Sequence, residues 1–251
     1  MMKLMSKHFP QHMLNWDILS KNKNAVHLLE QYPKKINWDN LTLNENAIYM
    51  LRRNTNKINW DNLSLNPKAL TLLENNPDKI NWDNLSLNKN AIHMLYKNID
   101  KINWNNLSKN INAMPILEKY PDKINWTNLS LNRNAVYLFY DNKHKIDWNY
   151  VSLNQLAINF LIENINKINW TYISLNKNAT EIIENNINLV DWNFLSYNPN
   201  TVHLLMDNFG EINWDYLSYN TNAINLLIEY KENINWNNIS RNKNIFIQTL
   251  L

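Results

Sequence analysis

Tryptophan recurs at Trp16, Trp38, Trp60, Trp82, Trp104, Trp126, Trp148, Trp170, Trp192, Trp214 and Trp236, eleven times at a constant interval of 22 residues. A spacing this strict restricts the chain to a repeat architecture, in which a unit too small to bury its own apolar face stacks on copies of itself. It also limits where function can be read. A residue present in every copy is explained by stacking, and only departures from the repeat mark a site. Copies are numbered 1 to 11 from the N-terminus, and positions within a copy are counted from its tryptophan.

Within one copy the residue types predict two short helices. The residue before tryptophan is Asn in nine copies and Asp in two (Asp147, Asp191), side chains whose oxygen accepts an orphan N–H at a helix start. An aliphatic residue stands before that cap and another three after tryptophan, as in Ile80 and Leu85, which are the two halves of a hydrophobic staple. Tryptophan then takes the first helical position, turned toward the core. Asparagine at +6 is present in all eleven copies, from Asn22 to Asn242, and Pro67 and Pro199 follow it directly, which predicts the start of a second helix. Apolar residues at +9, +10, +12 and +13, such as Ala91, Ile92, Met94 and Leu95, give that helix one buried stripe. Pro115 falls deeper in the pattern and predicts a late start capped by Asn112 in copy 5.

The fold expected is therefore all-α, an α-solenoid of eleven 22-residue two-helix repeats. Residues 1–13 form an N-terminal partial repeat or cap, and 14–251 a single solenoid domain whose last copy is truncated. A leucine-rich-repeat-like α/β solenoid is the alternative, because Trp38-x-x-Leu41-x-Leu43-x-x-Asn46-x-Ile48 has the spacing of that repeat. Against it, the second strand leucine is replaced by Lys21, Lys109, Tyr197, Tyr219 and Arg241, and the required asparagine by Lys68 and Leu156. Helices packing at roughly 10 Å would stack eleven such units into a rod or superhelix of about 100 Å.

Composition narrows the functional classes. The chain has no cysteine and a single glycine, Gly210, which excludes thiolate chemistry and any glycine-rich phosphate loop. Met1 to Met13 carries Lys3, Lys7 and Pro10 without a long apolar run, and no later stretch has the length of a membrane span. These features predict a soluble cytoplasmic protein with no membrane partner. His27, His93 and His203 share position +11 but lie several copies apart, too far to share a metal. No cofactor, metal or catalytic residue is expected, and the reading is non-enzymatic. Charge is uneven: residues 1–125 hold 17 Lys and Arg against 11 Asp and Glu, and residues 126–251 hold 8 against 11.

The pattern Ile-Asn-Trp-x-x-Leu-Ser-x-Asn-x-Asn-Ala-Ile-x-Leu-Leu-Glu, clearest from Ile58 to Glu74 and from Ile80 to Leu95, resembles the short tandem repeats of mimivirus-like giant DNA virus proteins. The resemblance covers essentially the whole chain after residue 13. It implies a viral protein acting in the infected host cell, and it carries no activity or site residue with it. The heavy use of Asn, Ile and Lys fits an AT-rich genome.

Three departures from the repeat are candidate sites. At +2, Asn40, Asn62, Asn84, Asn106 and Asn128 give way to Tyr150, Tyr172, Phe194 and Tyr216; this position points away from the tryptophan face, so the rings are expected to be exposed. With Tyr197 and Tyr219 they form a candidate protein-binding ridge; the alternative is that each ring packs on its neighbour. Lys35, Lys57, Lys79, Lys101, Lys123, Lys145 and Lys167 form an unbroken ladder three residues before tryptophan, a candidate polyanion or nucleic-acid stripe, or simply lysines beside helix C-termini. Finally, the apolar end Ile245-Phe246-Ile247-Gln248-Thr249-Leu250-Leu251 reads as a C-terminal helix. It needs covering by its own last turn or by another molecule, and so offers self-association. The favoured function is a scaffold binding a protein partner through the aromatic ridge. Nucleic-acid or polyanion binding along the lysines, and a structural self-assembling element, are the alternatives.

Overall fold

The computed structural model describes residues 2–4 and 8–248. The fold is an α-solenoid of two-helix repeats, and the leucine-rich alternative is overturned: the segment it would make a strand is the first helix of every copy. In copy 3 the elements are Trp60–Leu65, Leu70–Glu74 and a 3-10 turn at Pro77–Lys79. That third element, present in most copies, was not read from the sequence.

The first helix forms as its capping signals require. Asn59 is extended and its side chain accepts from the Asn62 N–H, and the cap before tryptophan does the same in every copy, from Asn15 to Asn235. The core of copies 1 to 10 is the aliphatic residue at +3, the small residue at +9 and the large one at +13: Leu63, Ala69 and Leu73 are essentially inaccessible to solvent. Burying each such leucine stabilises a copy by about 1.5–3 kcal/mol.

The second helix starts later than the sequence suggested. It begins at +10, with Val26, Ile48 and Leu70 as first residues and alanine before them. The asparagine at +6 instead ends the first helix, and its side-chain oxygen holds the next turn by accepting from the N–H two residues on, as in Asn44 to Asn46. Pro67 and Pro199 sit in that turn rather than in a helix. Pro115 causes no late start, because Met114–Lys119 begins at the usual +10 and places proline in the first turn, where its missing N–H has no helical partner to lose. The tryptophans are half-buried in all eleven copies instead of entering the core; their rings are covered by the connector that follows.

Asparagine amides join one copy to the next. The Asn44 amide donates to the carbonyls of Ser20 and Asn22 at 3.1 and 2.9 Å, and the same buried pair recurs at Asn110, Asn132, Asn154, Asn176, Asn198 and Asn242. At +8, Asn46 donates to the Lys23 carbonyl. At +4, Ser20 donates to the Trp16 carbonyl and accepts from the Asn37 N–H of the next copy, at 2.8 and 3.0 Å. These bonds satisfy backbone groups that short helices leave orphaned.

The chain divides into two compact units. One is Ile80–Thr201; the other joins the chain up to Lys79 with the chain from Val202 onward. In the second of these, copy 11 stacks on copy 1. The Asn15 N–H donates to Ser240 Oγ at 3.0 Å, its amide to Asn237 Oδ1 at 3.1 Å, the Asn22 amide to the Ser240 carbonyl at 3.3 Å and the Asn24 amide to the Lys243 carbonyl at 3.2 Å. The first and last copies are thus bonded, which corrects the expectation of a rod with ends about 100 Å apart. The C-terminal segment is also not a helix: after a 3-10 turn at Lys243–Ile245, Phe246–Gln248 pairs antiparallel with Met2–Leu4. Ile245 and Phe246 are buried, and the strand that begins at Phe246 pairs with the chain's own N-terminal segment rather than extending a helix. Thr249, Leu250 and Leu251 lie outside the described residues.

Candidate functional site

Position +2 faces the preceding copy rather than open solvent. In copies with asparagine there, the amide donates to the preceding +1 carbonyl: Asn40 to Asp17, Asn62 to Asp39, Asn106 to Asp83, Asn128 to Asn105. The aromatic replacements therefore lie partly against a neighbour, and Tyr150, Tyr172 and Phe194 are half-buried, correcting the expectation of an exposed ridge. Tyr216, at 36%, and Tyr197, at 42%, are the more exposed of the set. Tyr219 is half-buried with the Arg241 guanidinium over its ring at 5.5 Å. Tyr150, Tyr172, Phe194 and Tyr197 belong to the Ile80–Thr201 unit, whereas Tyr216 and Tyr219 belong to the other.

All seven lysines of the ladder are exposed, yet several are engaged by the fold. Lys57 lies over the Trp38 ring at 4.4 Å, Lys101 over Trp82 at 4.7 Å and Lys145 over Trp126 at 4.9 Å, cation–π geometry in which each ammonium folds back onto the tryptophan that opens its own copy. Elsewhere another ring takes that place. Tyr32 packs on Trp16 and Tyr120 on Trp104, both at 5.3 Å, and Phe160 stacks on Trp148 at 5.4 Å; Lys35, Lys123 and Lys167 belong to these three junctions. Lys79 and Lys123 also lie 3.4 and 3.5 Å from the carboxylates of Asp78 and Asp122. The stripe is thus largely an accompaniment to the tryptophan ladder.

The sequence reading missed the outward row of the second helices. At +14, where copies 1, 3, 5 and 8 carry Glu30, Glu74, Glu118 and Glu184, copies 6 and 7 carry Tyr140 and Ile162. With Tyr137, Ile165 and Leu189 they are 44% to 52% exposed, on the successive copies 6, 7 and 8 of one compact unit. Tyr140 meets Phe160 edge-on at 4.9 Å, which ties copy 6 to copy 7 along this row. The signal was present as a glutamate-to-apolar change at one position, hidden because +14 adjoins the core position +13.

Two tyrosines at +11 also bond across copies. Tyr49 donates to Glu30 Oε1 at 2.5 Å, and Tyr137 donates to Glu118. Partial burial, the carboxylate that accepts the hydroxyl and its charge push both phenols up to about 12. His27 contacts Glu30 and Gln31. Among the described residues, no three His, Asp or Glu side chains are grouped to hold a metal ion, and no helix is long and apolar enough to cross a membrane.

No protein-family model, curated protein or solved structure matches the chain.

Proposed function

We propose that the protein is a non-enzymatic scaffold that binds another protein along exposed apolar residues of its second helices and of the 3-10 turns that follow them. The observation that carries this reading is the run Tyr137, Tyr140, Ile162, Ile165 and Leu189, roughly half exposed on three consecutive copies. Exposed apolar side chains gathered in one place mark interaction surfaces more often than scattered ones do. Repeat stacking accounts for the buried residues of each copy, whereas these side chains remain about half exposed even where Tyr137 bonds to Glu118 and Tyr140 meets Phe160. Three of the +2 rings are half-buried and three of the ladder's lysines rest on tryptophan, so both of those candidates offer less free surface than this one. The resemblance to giant-virus tandem repeats supports a role in an infected host cell as part of this proposal.

The test is affinity capture from amoebal lysate with three forms of the chain. Tyr140→Glu with Ile162→Glu installs the residue that copies 1, 3, 5 and 8 carry at the same position, so the fold is kept. Tyr150→Asn, Tyr172→Asn and Phe194→Asn do the same at +2. A protein held by the wild type and by the Asn form but lost from the Glu form supports the reading. Retention by the Glu form, or no discrete protein on any form, counts against it.

A further inference from the structure

Where copy 11 meets copy 1 the +2 position is aliphatic, in Ile18, whereas every other copy carries asparagine or an aromatic ring there. Ile18 has no amide to make the bond that Asn40 makes to the Asp17 carbonyl one copy later, and no ring to fill the space in its place. Four of the other inter-copy bonds are made at this junction, including one of the two that the +6 amide makes elsewhere. A cavity of about 370 Å³ lies there, lined by Ile18, Lys21, Asn22, Asn40 and Arg241. That volume is in the range of small-molecule sites.

The lining is basic for a reason specific to this junction. Lys21 and Arg241 both occupy +5, which is leucine in Leu43, Leu65, Leu87, Leu131, Leu153 and Leu175. They are 220 positions apart in the chain and come together only because copy 11 stacks on copy 1. No carboxylate is among the lining residues. The Asp17 carboxylate, which is close in sequence, is taken up as the acceptor of the Asn37 amide. Arg241 is set by its packing over Tyr219 at 5.5 Å. A guanidinium with a planar fork, an ammonium, and a floor of Ile18 match a phosphate ester that has an apolar or aromatic body.

We propose that this cavity binds a small organic phosphate, with Arg241 and Lys21 neutralising the phosphoryl oxygens and Ile18 meeting the rest of the molecule. The site is independent of the protein-binding row, which belongs to the other compact unit. Two cations lining one cavity suit a dianion better than a carboxylate of single charge, and the limited volume selects small molecules over a polymer backbone.

Calorimetric titration of the full chain with adenosine 5′-monophosphate, and separately with inorganic phosphate and with adenosine, tests the assignment at 0.15 M salt. Saturable one-to-one binding of the monophosphate is expected, with adenosine at least tenfold weaker. Lys21→Leu and Arg241→Leu each install the residue six other copies carry, and each should weaken binding about tenfold or more, the worth of one lost charge-assisted bond. Lys109→Leu removes the +5 lysine of copy 5 and should change nothing. Lys21→Gln serves as a second variant if Lys21→Leu unfolds. Absence of saturable binding by either phosphate, or equal loss in Lys109→Leu, overturns the proposal; binding of inorganic phosphate alone with the same variant pattern retains the phosphoryl contacts and overturns the contribution of Ile18.

Discussion

The backbone N–H of Asn15 donates to Ser240 Oγ at 3.0 Å across 225 residues of chain, the bond that Asn37 makes to Ser20 across 17. Copy 1 is therefore the neighbour of copy 11 in the same sense that copy 2 is the neighbour of copy 1. The Asn15 amide should exchange with solvent deuterium as slowly as that of Asn37. Ser240→Ala should release it and cost about 1–3 kcal/mol, as an interior serine would, because a part-buried donor loses its acceptor. Fast exchange of Asn15 in the wild type would show that the terminal copies do not hold each other.

The +6 asparagines are buried donors facing two carbonyls, and Asn110 reaches those of Ser86 and Asn88 at 3.0 and 3.1 Å. Asn110→Ala should destabilise by about 1–3 kcal/mol in urea unfolding. Asn110→Asp replaces the donor by an acceptor aimed at two acceptors. Burial and the carbonyls favour its neutral form, which raises its folded-state value above the ordinary carboxylate value of about 3.9. The sign follows: the variant is most stable in acid, and the loss grows as pH rises through the folded value. A pH-independent difference from wild type would refute this.

Tyr49 and Tyr137 keep their protons up to about 12, whereas an unfolded phenol releases its proton near 10. Between those values the unfolded state loses protons first, so the contribution of both groups is complete below about pH 10 and disappears toward pH 12. Replacing both with phenylalanine should flatten the fall in melting temperature over that window. Unchanged slopes in the two proteins would mean that the Glu30 and Glu118 bonds do not hold in solution.

Cation–π pairing makes the lysine ladder unequal. Lys101→Gln removes the ammonium from the Trp82 face and should cost about 0.5–1 kcal/mol. Lys123→Gln should cost less, because Tyr120 already packs on Trp104 and an exposed pair with Asp122 contributes little. Thermal melts of the two variants at 0.15 M salt distinguish them; equal losses would assign the effect to charge alone.

The candidate sites were legible in different degrees, for physical reasons. The +2 rings were visible as a substitution pattern, but their burial was not, since it depends on Asn40 and its equivalents reaching back over the preceding copy. The lysines were equally visible, and only the structure shows Lys57, Lys101 and Lys145 on tryptophan rings. The outward row at Tyr140 and Ile162 was masked by its adjacency to Phe139 and Leu161, which are fully buried.

The period of 22, the asparagine cap before tryptophan and the core positions +3, +9 and +13 were determined by the sequence alone, because capping and apolar spacing act over a few residues and repeat without interruption. The role of the +6 asparagine was decided by tertiary structure. Its amide finds partners only in the neighbouring copy, so a local reading took it for the start of a helix. The meeting of Asn15 with Ser240, and with it the pairing of Lys21 and Arg241 around one cavity, likewise arose only in three dimensions. Each copy's residues specify contacts to the copy next in sequence, whereas the acceptor of the Asn15 N–H lies 225 positions away, so no local reading of the chain reveals it.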